Sequence, residues 1–199
     1  MDRNVEFLFE SSNELKFLWI LQASPMFDEL WEQPPAIGYV DDEGVRRSHT
    51  FDFFARTHCG LRVYFDFKPK ERVESSGIRN VHRSIRQQHG TTYADRMLLR
   101  TEDHIHPDDV ADAFTVLRAR RMRCAVADEA IANLVATMNG WVRVRDLVAA
   151  SGLAARAYNA VARMIGAGVL KTDERGPLSY GSQVMRVVGF AAGTQEDVR

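Results

Sequence analysis

Asp66, Phe67 and Lys68 put a carboxylate and an ammonium two residues apart, and in an extended strand that spacing turns both side chains to one face. The flanking residues alternate accordingly. Leu61, Val63, Phe65 and Phe67 make an apolar face, and Arg62, Tyr64, Asp66 and Lys68 make the other. Asp52 lies fourteen residues before Asp66 with the turn residues His58-Cys59-Gly60 between them, so a hairpin can set the two acids side by side. Glu14, at the head of an apolar helical run, is a third acid. Several carboxylates converging beside a lysine suit metal-assisted phosphodiester hydrolysis. Hard cations such as Mg²⁺ select carboxylate oxygens, and they position a water and neutralise the charge that builds on the phosphate.

Each residue also has a plainer use. Ser11-Ser12-Asn13-Glu14 reads as a capping box in which Glu14 bonds the Ser11 amide. Asp66 and Lys68 could be a surface ion pair, worth on the order of 0–1 kcal/mol. Asp52, flanked by Phe51, Phe53 and Phe54, is harder to explain this way, because a buried carboxylate without a partner is costly. His104 and His106 form an HxH with no third ligand at a telling spacing and read as loop residues.

The elements that must position these groups follow from period and punctuation. Leu15, Leu18, Trp19 and Gln22 fall at helical spacing, predicting a helix over 12–23. Pro34-Pro35 precedes a strand over 36–40, Asp42-Glu43-Gly44 marks a hairpin turn, and strands are expected over 47–56 and 61–68, the second ended by Pro69. In the first of these, Phe51 and Phe53 are expected on one face and Asp52 on the other. Helices are expected over 74–89 and 108–122, with a strand over 93–100 between them. This order predicts an α/β (α+β) unit, a mixed sheet flanked by helices, over residues 1–124. Beyond it, Ala, Val and Gly rise. Three short helical patterns (127–138, 143–150, 154–166) precede two strands around a turn at 173–177, the pattern of a small winged-helix domain over 125–192, with a loose tail over 193–199.

Of 199 residues, 45% are hydrophobic and 27% charged, ordinary for a globular protein and unlike a disordered one. No apolar run approaches the roughly 20 residues of a membrane span, the first residues are too polar for a secretory signal, and two scattered cysteines make neither a disulfide framework nor a zinc site. A cytoplasmic protein is expected. The net charge of −1 is unevenly spread: residues 1–50 carry ten acids and four bases, and residues 51–123 carry fourteen bases and ten acids. Such a chain does not hold DNA tightly by overall charge; contacts would come from local stripes. Arg79, His82, Arg83 and Arg86 line one helical face, read equally as a solvated face or as a phosphate contact beside the cleft. The candidate recognition helix offers Arg156, Tyr158, Asn159 and Arg163 among alanines, thin for base readout and as suited to docking a protein.

The stretch from Ser12 to Lys70 resembles the TnsA endonuclease family, the DNA-cleaving subunit of multi-component cut-and-paste transposons. The resemblance rests on Ser12-Asn13-Glu14-Leu15 with its apolar helix, Phe27-Asp28-Glu29-Leu30-Trp31-Glu32-Gln33-Pro34-Pro35, His49-Thr50-Phe51-Asp52-Phe53, and Val63-Tyr64-Phe65-Asp66-Phe67-Lys68-Pro69. It fades through Leu98-Leu99-Arg100-Thr101-Glu102. It implies a restriction-endonuclease-like PD-(D/E)xK core with a C-terminal winged-helix-like domain. Glu14, Asp52 and Asp66 would hold Mg²⁺, for which Mn²⁺ substitutes, with the Phe67 carbonyl completing the shell and Lys68 activating the attacking water. DNA would be the substrate, contacted by Arg79, Arg83, Arg86, Arg156 and Arg163, and a transposase subunit and an ATPase regulator would be the partners. Two departures stand out: little basic sequence precedes Glu14, and the acid before Lys68 is the shorter Asp. The rival expectation is an inactive or weak nuclease-fold adaptor that binds DNA or protein through its winged helix.

Overall fold

A computed structural model describes residues 12–173 and 176–187; Ser11 of the expected capping box and the expected tail lie outside them. Helix α1 (Ser12–Ala23) is apolar nearly all round because it is covered twice. Phe17, Leu18 and Leu21 pack on the sheet, while Trp19, Ile20 and Ala23 meet helix α3 (Pro107–Arg121), so the helix has no solvent stripe to keep polar.

The main sheet has the order β1 (Phe27–Glu32), β4 (Phe53–Thr57), β5 (Arg62–Phe67), β6 (Arg96–Arg100). The first three strands run antiparallel and β6 runs parallel to β5, so the sheet is mixed. A separate hairpin, β2 (Ile37–Val40) and β3 (Arg46–His49), turns at Asp42-Glu43-Gly44 as expected, with Gly44 at φ +80°.

The alternation expected for 61–68 holds. Val63, Phe65 and Phe67 join the core under α1, and Tyr64 joins a second core on the opposite face with Ile37, Phe51 and Ile85. Helix α2 (Ile78–His89) closes that second face. Gln88 of α2 accepts the Val40 N–H at 2.8 Å and donates to the Val40 carbonyl at 2.7 Å, pinning the hairpin against the helix. The parallel strand is held at its start by Arg62, whose backbone N–H and guanidinium both bond Asp95 (2.8 and 3.3 Å) while the guanidinium also donates to the Thr91 and Thr92 carbonyls.

The single strand expected over 47–56 is two. The chain leaves β3 at His49 and starts β4 at Phe53, and Phe51 and Phe53 enter different cores on opposite faces, which requires a bend at Asp52 where an unbroken strand was expected.

The C-terminal unit contains α4 (Ala125–Ala136), β7 (Val142–Arg143), α5 (Val144–Ser151), α6 (Ala155–Gly166), β8 (Leu170–Thr172) and β9 (Gln183–Arg186). Its sheet order is β7-β9-β8, and Ile131, Val144, Val161 and Val184 lie at the centre of its core.

Helix α3 belongs to both units. Its Ala113 and Val116 pack with Ala23 of α1, and its Ala119 sits in the C-terminal core. Arg120 donates to the Gln22 carbonyl at 2.6 Å and to the Gly166 carbonyl at 2.8 Å, tying the ends of α1 and α6 to one guanidinium. The approach of α6 to α3 needs a glycine: a Cβ on Gly166 would stand 2.3 Å from Val116 Cγ1. Gly166→Ala is therefore expected to lower stability by about 1–3 kcal/mol through overpacking. Adding Val116→Ala should return part of the loss, read as a non-additive double-mutant cycle in urea denaturation; strict additivity would show that the two helices do not meet at this point.

Candidate functional site

Two strand ends meet where β4 begins and β5 finishes. Phe53 pairs with Phe65 in register, which sets Asp52 next to Asp66, as the hairpin argument required. Asp52 is held at three points. Its Oδ2 accepts the Phe67 N–H at 2.7 Å and faces the Lys68 ammonium at 3.7 Å. Its carbonyl accepts the N–H of Gln33 at 2.9 Å, a residue held at φ +45° before Pro34, a conformation costing roughly 1–3 kcal/mol outside glycine. The Glu-Gln-Pro stretch thus serves as a strained strut under Asp52.

Asp66 is fully buried. Its Oδ2 is 2.8 Å from His49 Nε2 and 2.6 Å from His82 Nε2, while its Oδ1, also buried, has no hydrogen-bond partner. An ionised carboxylate only accepts, so both imidazoles present N–H to it. Burial pushes the Asp66 carboxyl upward, but the hydrogen bonds and positive potential of His49 and His82 outweigh it and hold the group below the usual carboxylate range. Asp52 goes the other way. Burial raises it, the Phe67 N–H and the Lys68 charge pull it down, and the neighbouring Asp66 charge pushes it up again, with a net rise.

Glu14 stands half-buried on the first turn of α1. Met26, just past the end of α1, accepts the His58 N–H of the β4–β5 turn. The head of the helix therefore points to the opposite end of these strands, where Asp52 and Lys68 sit. A twelve-residue helix and a five-residue strand both span roughly 17–18 Å, so the lengths agree. Phe17, one turn on from Glu14, packs on Phe53 and Phe67 at ring separations of 5.9 and 5.8 Å. The head of α1, which carries Glu14, lies on the face of the sheet opposite Asp66 and at the same end. Arg100 ends β6 at this same end, opposite Phe67 in register; it is half-buried, and burial lowers its pKa.

The histidines were not expected to be part of the site. His82 was grouped with the arginines at i, i+3, i+4 and i+7, yet it also completes Ile78, Val81, His82, Ile85, the apolar stripe that α2 turns to the sheet. A polar residue on that stripe signals a buried partner. His49, at the end of a polar strand, offered no comparable sign. Both rings rest on Phe51, His49 edge-on at 4.8 Å and His82 at 5.2 Å. The HxH residues take local capping roles instead: His104 Nδ1 bonds Thr101 and His106 Nδ1 accepts the Asp108 N–H.

Of the expected DNA contacts, Arg79 and Arg83 are largely exposed: Arg79 faces Glu74 at 3.6 Å, and Arg83 faces Asp42 at 3.5 Å and donates to Asn80 Oδ1 at 2.7 Å within its own helix. Arg156 is exposed on α6. Two others turn inward. Arg86 donates to the carbonyls of Gly90, Ala94 and Asp95, closing the end of α2 onto the start of β6. Arg163, its side chain only 9% exposed, pairs with Asp128 and donates to the Ala119 and Met122 carbonyls at the end of α3; the orphaned carbonyls of a helix end supply the reason. Tyr158 donates to the Leu178 carbonyl.

Neither a protein-family model nor a curated protein matches this chain.

Two outcomes follow. Because burial raises the Asp52 carboxyl, its ionised form is a cost to the fold at neutral pH that disappears as pH falls toward the unfolded value of about 3.9. Asp52→Asn should therefore raise the melting temperature at pH 7, with the difference from wild type shrinking by pH 4; a lower midpoint at pH 7 would contradict this. Arg163→Ala should destabilise by about 1–3 kcal/mol by stranding two helix-end carbonyls, whereas Arg156→Ala should be nearly silent in the same melts.

Proposed function

We propose that this chain is a divalent-cation-dependent DNA endonuclease of the PD-(D/E)xK type, with Asp52, Asp66, Lys68 and Glu14 as its working groups. The observation that carries this reading is the junction of Asp52 and Lys68 at 3.7 Å beside an Asp66 carboxylate whose Oδ1 is buried and unpartnered. Two neighbouring carboxylates, one with an unsatisfied buried oxygen, make a pocket that lacks a cation's charge. The donor set of hard oxygens fits Mg²⁺ or Mn²⁺. Asp52 and Asp66 would hold the ion, with Glu14 at the same end of the sheet and the Phe67 carbonyl between them.

When bound, such an ion would lower the pKa of a coordinated water and offset charge on the phosphate. The protein's part is to orient. The Phe67 N–H fixes one Asp52 oxygen, leaving the carboxylate no freedom to turn away. Lys68 keeps its ammonium against that same oxygen, where it can donate a hydrogen bond that orients an attacking water and stabilise the developing oxyanion. Arg100, half-buried at the end of the neighbouring strand, is placed to meet a phosphate.

The order α4-β7-α5-α6-β8-β9 with sheet order β7-β9-β8 supports reading the C-terminal unit as a winged helix. With Tyr158 and Arg163 committed to internal bonds, α6 presents little for base readout, which favours positioning over sequence recognition. By the TnsA resemblance, DNA would be cut at the 5′ strand of a mobile element's ends in company with a transposase subunit and an ATPase regulator. The adaptor reading draws on exposed Trp141, Val169 and Tyr180 in the C-terminal unit, apolar side chains suited to a protein partner.

Nicking of supercoiled plasmid tests the proposal. The wild-type chain should nick in Mg²⁺ and in Mn²⁺ and not in EDTA, and Asp66→Ala and Lys68→Ala should each lose at least about a hundredfold. The hundredfold follows from losing a group that binds the cation or stabilises the transition-state charge, and nicking that persists undiminished in both variants would sink the assignment.

A further inference from the structure

The three side chains that meet at Asp66 come from three elements: His49 from the end of β3, Asp66 from β5 and His82 from α2. Their candidate ligand atoms lie within 4.8 Å of one another. Local sequence does not explain this meeting, since the residues are sixteen and seventeen positions from Asp66 and each is placed by tertiary packing.

A hydrogen-bonded structural triad would account for the contacts but not for their distribution. Both imidazoles converge on Oδ2, and Oδ1, equally buried, receives nothing. If the histidines served only to satisfy the carboxylate, one donor on each oxygen would leave no buried orphan, which is costly to desolvate. Crowding two Nε2 atoms and one carboxylate oxygen into one spot is what a cation site needs. Ligand atoms around an ion with bonds of about 2.0–2.2 Å sit roughly 3–4 Å apart, so opening the present contacts by about 0.5–1 Å admits the ion. The packing of both rings on Phe51 holds them near that arrangement in advance. Access is available too: the histidine side chains are 17% and 14% exposed, while Asp66 is sealed beneath them.

We propose that His49, Asp66 and His82 bind a divalent transition-metal ion through two imidazole nitrogens and one carboxylate oxygen, each ring carrying its single proton on Nδ1 once Nε2 takes the ion and any further proton passing to solvent. Two imidazoles select against Mg²⁺ and Ca²⁺ and for ions such as Zn²⁺ and Co²⁺. As a statement about the nuclease site it rests on the reading above, because Asp66 is common to both; it then makes the cation of that site a transition ion, or sets one beside the Mg²⁺ position. As a statement about metal binding it stands on the three side chains alone.

Cobalt distinguishes the two. Titrating Co²⁺ into metal-free protein should produce visible ligand-field bands far stronger than those of the aquo ion, saturating at one ion per chain. His49→Ala and His82→Gln should each weaken that binding at least about tenfold, since loss of even an outer-shell partner costs roughly 10–100-fold. Arg156→Ala, exposed on α6 and remote from these side chains, should leave the bands in place. Should a histidine variant fold poorly by circular dichroism, wild type decides alone. Its melting temperature must rise more in Co²⁺ or Zn²⁺ than in equal Mg²⁺, because only a ligand bound to the native state stabilises it. Absent bands, or bands unchanged in both folded histidine variants, would overturn the proposal. Cobalt bands without nicking in any cation would remove the nuclease reading and leave this site intact. Nicking in Mg²⁺ by a chain with no cobalt bands would do the reverse.

Discussion

A carboxylate buried at the middle of a protein must be answered by its surroundings, and the answer to Asp66 organises this domain. Taking an ionised group out of water without partners would cost more than most single contacts return. Here two imidazoles, brought from a hairpin and from a helix, supply the answer. The hairpin must therefore dock on α2, which the paired bonds of Gln88 to Val40 secure. Phe51 must leave the line of β4 to support both rings, which puts the bend at Asp52. The bend in turn lets Asp52 reach back to the Phe67 N–H and face Lys68. The geometry that looks catalytic is thus downstream of the requirement to satisfy one buried charge.

This dependence explains what was legible in the sequence. Strand β5 was legible because one face is uniformly apolar and the other is not, and the two cores it separates are both real. Helix α1 was legible from its spacing, though its second covered face was not, since nothing local reveals that α3 returns from ninety residues away to lie on it. Strand β1 went unseen: a register irregularity between Phe27 and Glu29 breaks the two-residue period that would have signalled it. Strand β3 was merged with β4, because the residues between them are apolar and aromatic whether the chain continues or turns. The two-residue strand β7 carries too little pattern to be seen.

The site divides along the same line. That Asp52, Asp66 and Lys68 lie together was legible because strand spacing is a local property and a hairpin is a short-range one. That His49 and His82 join them was not, because what unites them with Asp66 is tertiary. The arginines show the converse error. Spacing put Arg79, His82, Arg83 and Arg86 on one helical face, but a helix has neighbours on several sides, and the same four residues divide between solvent and interior. Arg163 met the carbonyls at the end of α3 for the same reason: helix ends present unpaired acceptors, and a guanidinium within reach is drawn there before it can serve a ligand.

The two halves of the chain are joined through charge as well as packing. Arg120 donates to main-chain carbonyls at the ends of α1 and α6, and Arg163 of α6 divides its donors between Asp128 and two carbonyls at the end of α3. Gly166 removes the side chain that would keep α6 off α3. A joint built from backbone acceptors is insensitive to surface side-chain changes but sensitive to helix position. Helix α1 carries Glu14 at its head and Arg120's acceptors at its tail. Helix α1 thus meets the joint at its tail, through the Arg120 bonds, and the sheet near its head, where Phe17 packs on Phe53 and Phe67.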